Sequence, residues 1–171
     1  MKKFLTIAVI ILLGGAVQSN AQSFKMGLGI EGALPVGTFK EAYNFGGGLT
    51  LRAGFGIKPT GMVTLTAGAI GFIPKDLESD YEDIQAQLNI PIKAGYKYMV
   101  TPHFYVIGEA GVTIIKTFYE DGEEEGIGSG STSKFTYAPG IGVKFGAIDL
   151  SARYEGYDHG GFMGLRLGFG L

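Results

Sequence analysis

A two-residue alternation runs through almost the whole chain after residue 22, and no other feature restricts the fold so tightly. The clearest stretch is Ile84 to Tyr98. Ile84, Ala86, Leu88, Ile90, Ile92, Ala94, Tyr96 and Tyr98 fall on one side, with Gln85, Gln87, Asn89, Pro91, Lys93, Gly95 and Lys97 on the other. Successive side chains of a strand point to opposite faces, so this is a strand with two unlike faces rather than a helix. Similar runs occupy Phe24 to Leu34, Phe45 to Ile57, Met62 to Ile73, Phe104 to about Phe118, Phe135 to Phe145, Ile148 to Glu155 and the closing "MGLRLGFGL". Tight connections ("KPTG", "VTPH", "GA") alternate with longer ones ("PVGTFKEAY", "PKDLESDYED", "YEDGEEEGIGSGSTS", "YDHGG"). Eight antiparallel strands with turns at one end and loops at the other predict an all-β, eight-stranded, up-and-down barrel.

Alternation alone does not say which face lies outside, because a soluble barrel alternates too. The less apolar face decides it. That face is mostly glycine with isolated charges, and the chain carries 30 glycines. Glycine weakens a strand and packs nothing, so a glycine face suits the crowded bore of an eight-stranded tube. The other face is apolar in every run. Water does not tolerate so large a contiguous patch, whereas lipid does, and a closed barrel satisfies its own backbone there. The fold is therefore expected to be a transmembrane β-barrel. Aromatics are expected in two belts, with Phe24, Phe55, Tyr96, Tyr98, Phe104, Phe145 and Phe169 near the tight turns. Phe45, Phe72, Phe118, Phe135, Tyr137 and Tyr154 fall near the long loops. Pro91 and Pro139 sit inside strands, where each is expected to cause a bulge or a missing ladder bond.

The same parity directs Lys25, Arg52, Lys93, Lys97, Lys144, Arg153 and Arg166 inward, with Glu31, Glu109, Asp149 and Glu155. Buried charges must be paired, so a lumen charge network is expected around Glu31, Arg52, Lys93, Glu109, Lys144, Arg153, Glu155 and Arg166. The first strand neighbours the second and the last, so Glu31 is expected to meet Arg52 or Arg166. Such a network plugs the bore, or gates a narrow, anion-favouring ion path if its partners can swap.

The chain begins with "MKK", the apolar run "FLTIAVIILLGGAV" and small residues in "SNA". These mark an export signal over residues 1–21, cleaved after Ala21, with the barrel over residues 22–171. No cysteine is present, which excludes disulfides, thiolate metal sites and a lipidated cysteine. Net charge is −2 with no basic stripe, so no nucleic-acid partner is expected.

The "SNAQS" processing region, the glycine-spaced strands and the terminal "LRLGFGL" resemble the small outer-membrane β-barrel proteins. The chain is OmpX-like in size and similar to the outer-membrane β-barrel domain family common in Bacteroidetes. The resemblance implies a place in the outer membrane, lipid as the surrounding partner, and recognition of the C-terminal strand by the barrel assembly machinery. That strand ends on Leu171, with the aromatic Phe169 two places earlier.

Chemistry beyond this is thin. The acidic stretches "KDLESDYED" and "YEDGEEEG" read as solvated outer loops and carry no EF-hand spacing. A few small barrels modify lipid A through His and Ser near the outer rim, and His159 with Ser131 and Ser133 is the only comparable set. "GIGVKFG" and "FGGGLTLRAGFG" are strand-periodic and precede no helix, so they are not phosphate loops. The expectation is a non-enzymatic barrel without cofactor, structural or interactive in role. A narrow channel comes second and a lipid-modifying enzyme third.

Overall fold

The computed structural model describes residues 24–75, 84–121, 126–158 and 160–170. The expected signal segment, its cleavage site and His159 lie outside these residues. The elements are β1 (Phe24–Val36), α1 (Phe39–Ala42), β2 (Tyr43–Lys58), β3 (Gly61–Pro74), β4 (Ile84–Met99), β5 (Phe104–Asp121), β6 (Gly126–Phe145), β7 (Ile148–Tyr157) and β8 (Gly160–Phe169). Each strand pairs antiparallel with the next, and β8 returns to β1, closing the barrel. Closure removes both sheet edges, so backbone donors and acceptors at membrane depth are satisfied between strands. At one end the β6–β7 connection is only Gly146 and Ala147, and Gly146 takes a φ of 59°, a left-handed conformation that glycine adopts without strain.

The faces fall as parity requires. Leu165 is 56% exposed while its neighbour Arg166 is 1% exposed. Leu28, Ile30, Leu49, Leu51, Leu65, Ile141 and Leu150 also point outward. In a lipid-spanning barrel this apolar exterior is stabilising, because hydrocarbon is the solvent. A Leu165→Glu variant, placing a carboxylate mid-strand on the lipid face, is expected to lose about 2 kcal/mol. Urea titration of the barrel in phosphatidylcholine vesicles measures this, and an unchanged midpoint would mean Leu165 does not meet lipid.

Most of the aromatics expected in belts are outside. Phe24, Phe55, Tyr96, Tyr98, Phe145 and Phe169 are exposed near the tight turns, and Phe45, Phe135 and Tyr137 near the other end. Phe24 and Phe55 face each other across β1 and β2 with ring centroids 4.8 Å apart. Phe72 is a correction: it is buried inside the barrel. It shares parity with Thr64, Thr66 and Gly68, and the strand continues unbroken to Pro74, so it cannot reach the lipid face.

The two prolines interrupt pairing without shifting it. β3 and β4 pair from Gly61↔Tyr98 to Ala67↔Ile92 and resume at Ile70↔Asn89 in the same register. β6 and β7 pair at Tyr137↔Gly156 and again at Gly140↔Arg153, also in register. On their other sides Pro91 faces Thr113 and Pro139 faces Gly108 in unbroken ladders. Each proline lacks the donor for one neighbour only, so the result is a gap and not a bulge. Register shifts occur instead at Tyr43/Phe45 and Gly56/Lys58 of β2 and at Ile84/Ala86 of β4.

A second correction concerns "YEDGEEEGIGSGSTS". It was expected as loop, yet β5 continues to Asp121 and β6 begins at Gly126, paired up to Asp121↔Gly126. Ladder bonds need only backbone. Beyond the bilayer a strand needs no apolar face, so hydrophobic alternation fades while the hairpin goes on. Residues 122–125, and most of the acidic "KDLESDYED" stretch, lie outside the described residues.

Candidate functional site: the charged interior of the barrel

Every strand of the barrel points small or polar side chains at its axis. Nine of the inward side chains are charged and almost fully buried: Glu31, Arg52, Lys93, Lys97, Glu109, Asp149, Arg153, Glu155 and Arg166. They form one continuous line of alternating sign. Lys97 Nζ lies 2.7 Å from Asp149 Oδ2, and Asp149 Oδ1 lies 3.4 Å from Arg166 Nη1. Arg166 Nε is 3.8 Å from Glu31 Oε1, which Arg153 Nη1 meets at 2.8 Å. Arg153 Nε reaches Glu155 at 3.2 Å, and Glu155 accepts a close hydrogen bond from Lys93. Lys93 then approaches Glu109 at 3.9 Å, and Glu109 faces Arg52 at 3.4 Å. A cation stands at each end of the line.

Neutral side chains tie it together. Thr50 donates to Glu31 at 2.8 Å and accepts from Arg166 Nε at 3.0 Å, bridging the longest ion pair of that pocket. Thr66 donates to Glu109 and accepts from Arg52 Nε at 3.1 Å. Tyr105 donates its hydroxyl to Asp149 at 2.7 Å, and its ring lies 3.6 Å below the Lys97 ammonium. Removing two charges from water is expensive, and good geometry with extra hydrogen bonds is what offsets it. Four polar atoms of the line remain without a protein partner: Glu31 Oε2, Arg52 Nη1, Arg153 Nη2 and Glu155 Oε1.

Register explains who meets whom. Glu31 stands directly opposite Arg166 on β8. Arg52 stands opposite Gly27, four residues along β1 from Glu31 and hence roughly 13 Å away along the strand. Of the two partners expected for Glu31, Arg166 is therefore the neighbour, while Arg52 crosses to Glu109 on β5. The glycines around Arg166 make room for it. A Cβ on Gly29 or on Gly168 would overlap the Arg166 guanidinium.

Lys144 stands apart from the other seven expected network residues. It is half-buried at the tight-turn end, with Asp149 as its Cα partner on β7, and lines a cavity of 680 Å³ together with Lys25 and Lys97.

At the other end an apolar cluster sits beside the buried amides of Gln87 and Asn89. Ala33, Tyr43, Ile70, Phe72 and Phe162 form a buried cluster, with Phe39 and Ala42 of α1 and Tyr157 packed on it. Phe39 contacts Tyr43, Phe72 and Tyr157 with centroids 4.8, 4.9 and 5.9 Å apart. This cluster was not anticipated. Ile70, Phe72 and Phe162 share parity with inward residues, and that parity was the available signal. Tyr43 gave none, because the β2 bulge turns it inward.

Of the candidate set His159, Ser131 and Ser133, only the two serines are among the described residues. Ser131 and Ser133 are exposed on β6. His103 stacks on Phe145 at the opposite end of the barrel, centroids 5.1 Å apart. No group of three or more His, Cys, Asp or Glu side chains suited to a metal ion occurs among the described residues.

An antiparallel eight-strand barrel that is apolar outside and ionic within belongs to the class of outer-membrane barrels. The chain is a member of the outer membrane protein beta-barrel domain family, whose profile matches residues 6–170. It therefore resides in the outer membrane, surrounded by lipid. No curated protein matches the chain. Among solved structures it is similar to Ail, the attachment invasion locus protein of Yersinia pestis, at 14% identity and a TM-score of 0.63, over 89% of this chain and 98% of that one. It is similar to the N-terminal β-barrel domain of Pseudomonas aeruginosa OprF at 16% identity and 0.59, over 90% and 100%. Neisserial surface protein A matches at 14% identity and 0.53, over 87% and 96%. At these identities the likeness is one of fold.

Proposed function

We propose that this is a non-enzymatic outer-membrane barrel whose lumen is plugged by its own side chains and whose role is structural or interactive at the cell surface. The observation that carries the reading is the unbroken nine-residue charge line beneath an aromatic cap. The line leaves little room for a solute, and the cap adds an apolar layer across the loop end. Interaction falls to the loop end, where β5 and β6 rise as a hairpin. Among the described residues β6 pairs with β7 only from Thr136 onward, leaving backbone groups from Gly126 to Phe135 available on that side. Acidic loops flank it in the sequence. Ail and Neisserial surface protein A, by their names, act in attachment or at a surface, which fits this reading. We further take the export signal over residues 1–21 and recognition of β8 by the assembly machinery as parts of the same proposal.

One observation favours a second reading, a narrow gated channel. The buried line holds five cations against four carboxylates, and four of its polar atoms have no protein partner. Partner exchange would then open a path selective for anions. Single-channel recording in planar bilayers separates the two. The plugged barrel is expected to stay silent as wild type, Arg52→Ala and Arg166→Ala. Discrete steps whose size changes with either substitution would establish the channel instead.

A further inference from the structure

The mouth at the tight-turn end carries an electrostatic imbalance that the charge line does not explain. Outer-membrane barrels turn this end to the periplasm. A cavity of 680 Å³ opens here, lined by Lys25, Lys97, Lys144 and His103, and among the described residues no Asp or Glu lines it. Asp149, the Cα partner of Lys144 on β7, is already engaged by Lys97, Tyr105 and Arg166. Lys97 is neutralised by that pairing. Among the described residues neither Lys25 nor Lys144 has a salt-bridge partner, and both line the same cavity. Lys25 opens β1 and Lys144 lies near the end of β6, so two separate strands deliver like charges to one mouth. Two ammonium groups held together repel, and a multiply charged oxyanion between them would turn that repulsion into charge-assisted hydrogen bonds.

We propose that this vestibule is a binding site for phosphate-bearing polyanions approaching from the periplasmic side. Lys25 and Lys144 act as the direct ligands, and the Lys97–Asp149 pair forms the floor of the vestibule. The walls come from the tight turns, including Thr60 and Thr101, so the site is held by the short connections of three hairpins rather than by the long loops. The proposal does not depend on the bore being closed.

Calorimetric titration of the folded barrel with inorganic pyrophosphate, in phosphatidylcholine vesicles at low salt, tests it. Saturable binding is expected for wild type. The Lys25→Gln/Lys144→Gln double variant should bind at least tenfold more weakly, and each single variant should fall between. Lys116→Gln, which removes an exposed lysine elsewhere on β5, controls for net charge and should bind as wild type does. Replacing part of the lipid with phosphatidylglycerol distinguishes sources. A fivefold or greater loss of pyrophosphate affinity would mean that lipid headgroups occupy the same site, and unchanged affinity would mean that it takes soluble phosphates. No saturable binding by wild type, binding by the double variant within twofold of wild type, or an equal loss in Lys116→Gln would overturn the proposal.

Discussion

Arg153→Ala is expected to destabilise the folded barrel by about 3–5 kcal/mol, the range for breaking a buried ion pair from one side. Arg153 joins Glu31 at 2.8 Å to Glu155 at 3.2 Å, and both carboxylates are buried. Without the guanidinium, Glu31 keeps a distant Arg166 and the Thr50 hydroxyl, while Glu155 keeps Lys93. The line splits into two halves, each with an under-compensated carboxylate away from water. Urea unfolding in vesicles reads the loss. A second variant identifies its cause. Arg153→Met with Glu31→Gln and Glu155→Gln removes the unpaired charge while keeping most of the volume. If charge burial is what Arg153→Ala exposes, this triple variant should regain much of the lost stability, since neutral replacement of a buried ionic group is often harmless. If it stays as unstable as Arg153→Ala, packing rather than charge is what Arg153 supplies.

The second large effect belongs to a glycine. Gly48 faces inward opposite Ile70, and a Cβ there would overlap the Ala69 carbonyl oxygen and sit 2.7 Å from the Ile70 Cα. These are backbone atoms of a strand paired to β2 at Ala69 and to both neighbours at Ile70, so they cannot move away as a flexible side chain would. Gly48→Val is expected to cost about 3 kcal/mol or more, at the upper end for overpacking. Gly108 supplies the contrast. It faces outward, and a Cβ there meets nothing within 4 Å. Gly108→Val should fold as wild type does. Vesicle refolding yields for the two variants, compared side by side, measure the difference; equal yields would contradict a lumen as crowded as described.

Parity made most of this visible in advance. Lipid-facing Leu165 and lumen-facing Arg166 are adjacent letters, and a period of two has only one way to separate them. The same logic placed Glu109 and Lys93 inside. What parity does not carry is distance along the axis. Glu31 can be assigned to the lumen from its phase, but its preference for Arg153 and Arg166 over Arg52 depends on strand stagger, which no local pattern encodes. Bulges erase the signal altogether, as at Tyr43. The aromatic cap shows a different gap. Phe72 and Phe162 were in phase with the lumen, yet a large apolar residue at an inward position contradicts the expectation of a polar bore. The hairpin above the membrane was missed because solvated strands lose the hydrophobic alternation on which detection rests.

The most direct test of the inside-out arrangement uses the absence of native cysteine. Single cysteines at Leu49 and Leu165 on one face, and at Thr50 and Thr66 on the other, can each carry a nitroxide in the folded barrel in vesicles. Power-saturation measurements should give high collision rates with dissolved oxygen at Leu49 and Leu165, as for a label in hydrocarbon. At Thr50 and Thr66 collisions with both oxygen and a water-soluble nickel reagent should be low, as for a label held in a crowded bore. Free access of the nickel reagent to Leu49 and Leu165, with Thr50 and Thr66 responding to oxygen as lipid-facing sites do, would mean the barrel is the other way out.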